Sequence, residues 1–209
     1  QVLAASSREY RLLVGDDASK DGTAEVLDPY TRALPLTVLT SAQPIGYAAT
    51  VERLLREALE RSDRHKRDVA ILWPADYTVD PGELDEMLRK LDSGADLVIG
   101  DATVVSGVAA IRLVALRQAF RDRPDQWLHT EGWAANAELM AWVAAAARQV
   151  ERVPVTVHAD RRQRPSRVEP WPLARALWQA RRLLVAPPRA ATPPRDRQPR
   201  PAPRGKEAA

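Results

Sequence analysis

The stretch LLVGDDASKDGT, Leu12 to Thr23, decides the fold class. Residues Tyr10 to Val14 are mostly large or β-branched and read as a short buried strand. Asp16 and Asp17 follow at once, and then Ala18, Ser19, Asp21 and Gly22. An apolar strand that ends in carboxylates and opens into a helix puts acceptors at the carboxyl edge of a sheet, where open α/β sheets bind ligands. The same residues also read as an ordinary strand-to-helix turn, with Asp21 as N-cap and Gly22 giving the turn its freedom. The acid pattern alone leaves both readings open.

Outward from this stretch the elements alternate. Thr23 to Leu27 predicts a short helix and Leu36 to Leu39 a second strand. Tyr47 to Leu59 carries Val51, Leu54, Leu55, Ala58 and Leu59 at helical spacing, one buried face. Asp68 to Trp73 reads as a third strand. Asp80, Pro81 and Glu83 form a helix start, with an acid cap, proline at the first position and a capping-box glutamate. Leu84, Met87, Leu88 and Leu91 give that helix its core stripe, Ser93-Gly94 ends it, and Ala95 to Ile99 is a fourth strand. Further on, Val108 to Phe120 predicts a strand and helix, Ala134 to Val150 a long helix, Val153 to Val157 a strand, and Trp171 to Val185 an amphipathic, arginine-rich helix. Alternating strands and helices with apolar strands predict an α/β domain whose mostly parallel sheet is covered on both faces.

The 209 residues are enough for one domain with a sizeable core, and no cysteine is available for disulfides or thiolate metal sites. No apolar stretch reaches about 18 residues, the length of a membrane-crossing helix. The chain starts at Gln1 with no signal-peptide pattern before the first strand, which reads as a fragment or a mis-started reading frame. The net charge of +3 is unevenly placed. The stretch 187–209 carries +4 and seven of the 17 prolines, leaving −1 for the rest. With almost no large apolar residues, that stretch reads as a basic, disordered tail. Its charge suits a solvated tail, an acidic lipid surface or nucleic acid.

The aspartate run closely resembles the VDDGSxDGT segment of inverting nucleotide-sugar glycosyltransferases with the GT-A fold, family 2. Within them it looks most like the branch of dolichol-phosphate mannosyltransferase and bacterial polyprenyl-phosphate glycosyltransferases. The resemblance implies a GT-A-like nucleotide-diphospho-sugar transferase sandwich over 1–168, followed by the basic helix over 169–186 and the tail. By position, Asp16 and Asp17 inherit contacts to the base and ribose of the donor. Gln43-Pro44-Ile45-Gly46-Tyr47 is similar to a glycine-containing segment that faces the nucleotide sugar, which puts Gly46 against the ligand.

Further matches are partial. LWPADYTVDP, Leu72 to Pro81, stands where the family carries Asp-x-Asp, whose acids hold Mg²⁺ or Mn²⁺ against the donor diphosphate. Here Pro74 replaces the first acid, so the resemblance leaves Asp76 as the metal ligand and catalytic acid, with weaker affinity. Ala95 to Gly100 matches ADLVIG, but Asp101-Ala102 replaces Ser-Arg, and the connection to Ser106-Gly107 is shortened on the side expected to form the acceptor site. Glu138, in TEGWAANAEL, matches an acid near the donor sugar and acceptor and is the second catalytic candidate; Glu131 is the nearby alternative. Val153-Pro154-Val155 leads to Arg161, Arg162, Arg164, Pro165, Ser166 and Arg167, similar to a basic loop that meets phosphates. Arg161, Arg164 and Arg167 are the expected phosphate contacts, since guanidinium groups pair bidentately with phosphate oxygens.

Together these features imply transfer of a sugar from a nucleotide-sugar donor to a lipid-phosphate (polyprenyl-phosphate) acceptor, in cell-envelope chemistry. The expected place is cytoplasmic, peripheral at the inner face of the cell membrane. A phosphate acceptor is already ionised and needs little general-base help. Two other readings remain: a catalytically weakened homologue that still binds nucleotide or partners, and a nucleic-acid binder acting through its basic tail. The family's first strand has no counterpart before Gln1, and loss of a central strand would expose a pairing edge.

Overall fold

The computed structural model describes residues 8–101, 107–123, 125–162, 171, 173–175, 177 and 178. The first strand, β1 (Leu12–Asp16), runs two residues beyond the predicted end, so Asp16 is its last residue. It is followed by α1 (Thr23–Ala33), β2 (Leu36–Thr40), α2 (Tyr47–Glu60) and β3 (Val69–Leu72). Then come α3 (Leu84–Asp92), β4 (Leu97–Gly100), β5 (Ala109–Arg112), α4 (Leu113–Ala119), α5 (Ala134–Ala146) and β6 (Val150–Val153).

The strands fall into two sheets. β1 and β2 pair in parallel, Leu12 opposite Leu36 through Asp16 opposite Thr40. The other sheet has the order β3-β5-β4-β6, with β5 antiparallel to both neighbours and β4 parallel to β6. The pairing is therefore mixed where a mostly parallel sheet was expected. The connection from β4 to β5, residues 101–108, is too short for the crossover that parallel strands need, so β5 returns antiparallel to β4.

Side-chain alternation divides the larger sheet's two faces. Leu97, Ile99, Ala109, Ile111, Ala70 and Leu72 pack on one side with α2, α4 and α5. Val98, Ala110, Val69 and Ile71 pack on the other with Met87 and Leu91 of α3. This period of two sets the three-layer sandwich. α1 and α2 lie against β2 and β1.

Three boundaries moved for local reasons. α1 continues through Pro29 to Ala33, well past Leu27. The predicted helix start at Asp80 is a turn of 3-10 helix, Pro81–Glu83, running into α3. Asp80 caps it as expected, accepting the Gly82 N–H at 2.9 Å, but Glu83 accepts from Thr156 N at 3.4 Å instead of closing a capping box. α5 stops at Ala146 and the strand begins at Val150, because Arg148 turns back to bind Asp96. Of the predicted C-terminal helix, Trp171, Leu173–Arg175, Leu177 and Trp178 are described and helical; the tail 187–209 lies outside the described residues. Among the described residues no helix is long and apolar enough to cross a membrane.

Gly15 lets β1 approach α2. A Cβ there would sit 2.4 Å from Thr50 Cγ2 and 3.3 Å from Leu54 Cδ1. Thr50 cannot swing away freely, since its hydroxyl donates to the Gly46 carbonyl at 2.9 Å. Gly15→Ala is expected to cost about 1–3 kcal/mol by overpacking, read as a lower melting temperature, with Thr50→Ala restoring most of the loss in the double variant. An unchanged melting temperature for Gly15→Ala would show that β1 and α2 are not held this closely.

Candidate functional site

The strand-end acids divide their work. Asp16 is 4% exposed, and its Oδ1 accepts the Ser19 N–H at 3.1 Å. That bond shapes the turn after β1. Asp17, one residue on, reaches across to the start of α2. Its Oδ1 accepts from Ile45 N at 2.7 Å and its Oδ2 from Gly46 N at 2.9 Å. A carboxylate on the leading amides of a helix is favoured by both hydrogen bonds and the helix dipole. Asp17 and Gly46, 29 positions apart, are thus brought together. Gly46 has φ 87°, a conformation that favours glycine.

Beyond Gly46 the same helix meets α5. The Tyr47 hydroxyl donates to Asn136 Oδ1 at 3.0 Å, and its ring stacks on Trp133 at 6.1 Å. Burial pushes the Tyr47 hydroxyl pKa up, and the Asn136 bond offsets this only in part. Gly107 lies under Asn136, where a Cβ would meet Nδ2 at 2.7 Å.

Glu138 lies on α5. It is fully buried, and its Oε2 accepts the His129 N–H, the Thr130 N–H and the Thr130 hydroxyl at 2.7–2.8 Å. Glu52 does the same one step earlier, its Oε2 accepting from Trp127 N at 2.9 Å and Leu128 N at 3.2 Å. Two carboxylates therefore hold four consecutive amides. Burial by itself raises the Glu138 pKa, but the donors of Thr130, His129 and Trp142 outweigh it and hold the carboxyl below the usual range. Glu138 is a positioning residue; Glu131, the other acid of this stretch, is exposed.

The remaining candidates lie in two loops that clasp each other. Val79 and Val157 form an antiparallel bridge, and His158 N donates to Thr78 O at 2.7 Å. This brings Arg161 to Asp80 at 3.4 Å and Arg162 to Asp76, with Nε and Nη2 at 3.1 and 2.5 Å from Oδ2. Asp76 Oδ1 accepts from Thr78 N and Oγ1 at 3.2 and 2.6 Å. Burial pulls the Asp76 pKa upward, yet the Thr78 and Arg162 donors leave it below the usual carboxylate range. Ala18 and Tyr77, the non-glycine residues with φ in the left-handed region among those described, sit in the two strand-end loops at 56° and 61°. Such strain collects where a loop is shaped for function. Arg164 and Arg167 lie outside the described residues, as does most of the 101–107 connection.

A divalent ion does not fit Asp76 as it stands. Both carboxylate oxygens are engaged, Arg162 holds the outer one, and Pro74 supplies no second ligand. Among the described residues no group of three or more His, Cys, Asp or Glu could hold a metal. Arg162, named in the basic loop but not among the expected phosphate contacts, stands next to Arg161, which was; the buried Glu52 was missed by the sequence reading. A glutamate on the apolar stripe of α2, beside Val51 and Leu55, was the visible signal for Glu52.

The strand-end acids, the glycine that opens α2 and the paired acid and arginine loops are carried by one α/β domain. The chain belongs to glycosyl transferase family 2, whose model matches residues 1–132. Uncharacterized glycosyltransferases of Mycobacterium bovis and Mycobacterium tuberculosis are each 32% identical to it over 127 residues, 58% of this chain and 53% of each relative. The chain spans about half the length of the curated relatives it matches. The crystal structure of S. aureus TarS 1–349 has the same fold, with a TM-score of 0.52 at 12% identity, over 70% of this chain and 50% of that one. Members of the family commonly use divalent metals.

The geometry of Glu138 predicts its pH behaviour. With the folded pKa lowered, its contribution is fully present above the ordinary glutamate range and lost as pH falls through the folded value. Glu138→Gln is expected to destabilise the fold by about 1–3 kcal/mol at neutral pH and to flatten the acid limb of a stability-against-pH curve from urea melts. A variant as stable as wild type, with the same acid limb, would remove the anchoring role.

Proposed function

We propose that this domain binds a nucleotide-sugar donor at the ends of β1 and β3 and transfers the sugar, with inversion, to a lipid-phosphate acceptor. The observation that carries the reading is the Asp17 carboxylate, held on the amides of Ile45 and Gly46 at the mouth of the family's nucleotide-facing segment. Asp17 orients the nucleoside, with Asp16 fixing the turn behind it. The resemblance to polyprenyl-phosphate transferases supplies the acceptor class, and the arginine loop after β6 is the matching anion-binding element.

In the transfer, an acceptor phosphate oxygen attacks the anomeric carbon opposite the leaving diphosphate. The carbon–oxygen bond to the donor breaks as the new one forms, and nucleoside diphosphate departs with the bonding pair. The attacking oxygen is already anionic, so no side chain need remove a proton. Arg161 and its neighbours neutralise charge developing on the diphosphate. No step runs through a metal at Asp76, whose oxygens are engaged.

A lipid acceptor is confined to a surface, and the C-terminal helix suits such a surface. Trp171 and Trp178 are 82% and 64% exposed and line one recess with Ala174 and Arg175. Indole rings favour the headgroup region and arginine favours anionic lipid. These exposed indoles support reading the domain as peripheral at the cytoplasmic membrane face.

Calorimetry with UDP- and GDP-sugars tests the donor assignment. One of them is expected to bind wild-type protein, and Asp17→Ala to weaken it roughly tenfold or more, the scale of a lost charge-assisted hydrogen bond. Equal affinity for both proteins sinks the assignment to Asp17.

Liposome flotation tests the surface. Full-length protein is expected to float with anionic vesicles and to release as salt rises, each basic residue contributing on the order of 1 kcal/mol. Truncation at Pro170 should abolish flotation. If both forms float equally, or neither does, the helix is no anchor; salt-sensitive binding to DNA carried by the tail alone would favour a nucleic-acid role instead.

A further inference from the structure

Asp76 and Arg162 stand 86 positions apart in sequence, yet the fold sets them face to face. Both side chains are about one quarter exposed, at 27% and 25%. Their meeting follows from the backbone. The Val79–Val157 bridge and the His158-to-Thr78 hydrogen bond fix one loop against the other, and the Arg161–Asp80 pair adds a second charge contact in the same register. Arg162 is therefore positioned by main-chain pairing and not by a chance surface encounter.

The charge at this point is balanced. Asp76 is one carboxylate and Arg162 one guanidinium, while Pro74 occupies the position where the family resemblance calls for another acid. A dication entering here would meet a half-neutralised ligand set and a fixed positive charge within a few ångströms. A guanidinium keeps its charge at any working pH and carries more N–H donors than Asp76 Oδ2 engages. The donors left over, with those of Arg161, suit the oxygens of a diphosphate.

We infer that the Arg162 guanidinium is the resident cation of this site in place of a divalent ion, and that a nucleoside diphosphate binds here without metal through Arg162 and Arg161. The inference rests on the donor reading above and deepens it: the pair at Asp76 replaces a carboxylate–metal centre by a carboxylate–guanidinium one. Asp76 then orients Arg162 and does not coordinate a metal.

Two measurements on the full chain decide it. The first is a Mn²⁺ titration of the protein without nucleotide, followed by electron paramagnetic resonance. Wild type is expected to bind weakly, Arg162→Ala to bind roughly tenfold tighter or more once the like charge beside Asp76 is removed, and Arg162→Lys to stay as weak as wild type. The gain in Arg162→Ala should vanish when Asp76→Asn is added. Wild type binding Mn²⁺ as tightly as Arg162→Ala overturns the resident-cation role.

The second is calorimetry with UDP and GDP, in EDTA and in Mn²⁺. Wild type is expected to bind one of them equally well in both, and Arg162→Ala to lose roughly tenfold in EDTA and to recover part of it in Mn²⁺. Binding by wild type that requires Mn²⁺ overturns the inference and leaves the donor reading standing. Binding of neither nucleotide under either condition overturns the donor reading and the diphosphate half of the inference together, while the Mn²⁺ titration still decides the resident-cation half.

Discussion

Two buried carboxylates, Glu52 and Glu138, organise the side of the domain that carries the nucleotide-facing loop. Taking an ionised carboxylate out of water is costly unless its oxygens are saturated with donors. Here the donors are the consecutive amides of Trp127, Leu128, His129 and Thr130. A segment with no regular structure of its own thus has its main-chain N–H groups satisfied from α2 on one side and α5 on the other. Arg56 completes Glu52 by donating Nε and Nη2 to its Oε1 at 3.0 and 2.7 Å, and the Arg56 guanidinium lies 4.3 Å from the Trp127 ring centre. Removing Glu52 would leave the buried amides of Trp127 and Leu128 without acceptors, and removing Glu138 the part-buried amides of His129 and Thr130.

That constraint reaches the candidate site by contact. The 127–130 segment leads directly into Trp133 and Asn136, which receive Tyr47. Tyr47 follows Gly46, whose amide holds Asp17. The path from Glu138 to Asp17 therefore runs through packed rings and hydrogen bonds, and a change in the buried anchor can alter the strand-end loop without touching a ligand. The Asp76–Arg162 pair is fixed separately, by the pairing of Val79 with Val157. The acid end and the arginine end are thus held by separate sets of contacts.

The core explains why such polar anchoring is needed. The larger sheet is short, with four-residue strands, and its interior is rich in small residues, among them Ala95, Ala109, Ala110, Ala134, Ala135 and Ala137. Small residues let α5 and the sheet approach closely but bury little area each, and hydrophobic stabilisation scales with area. Asp96 adds to the same economy of parts, joining Arg148 at 3.0 Å and Arg112 at 3.6 Å and so tying the end of α5 and the start of β6 to β4 and β5. Burial pushes its pKa upward, and the Arg148 hydrogen bonds and charge more than reverse this.

The sequence by itself determined the alternation of strands and helices, the α/β class, the acid cluster at the end of β1 and the cap at Asp80. Those features depend on apolar spacing of two or 3.6 residues and on side chains acting on amides two or three positions away, which are local. The family likeness of the aspartate run was legible for the same reason, being contiguous. Tertiary structure alone decided that β5 runs antiparallel, that Glu138 faces inward and Glu131 outward, and that Arg162 stands against Asp76. Each of these joins residues far apart in sequence, and only the packed fold sets their distance, their burial and therefore their charge state.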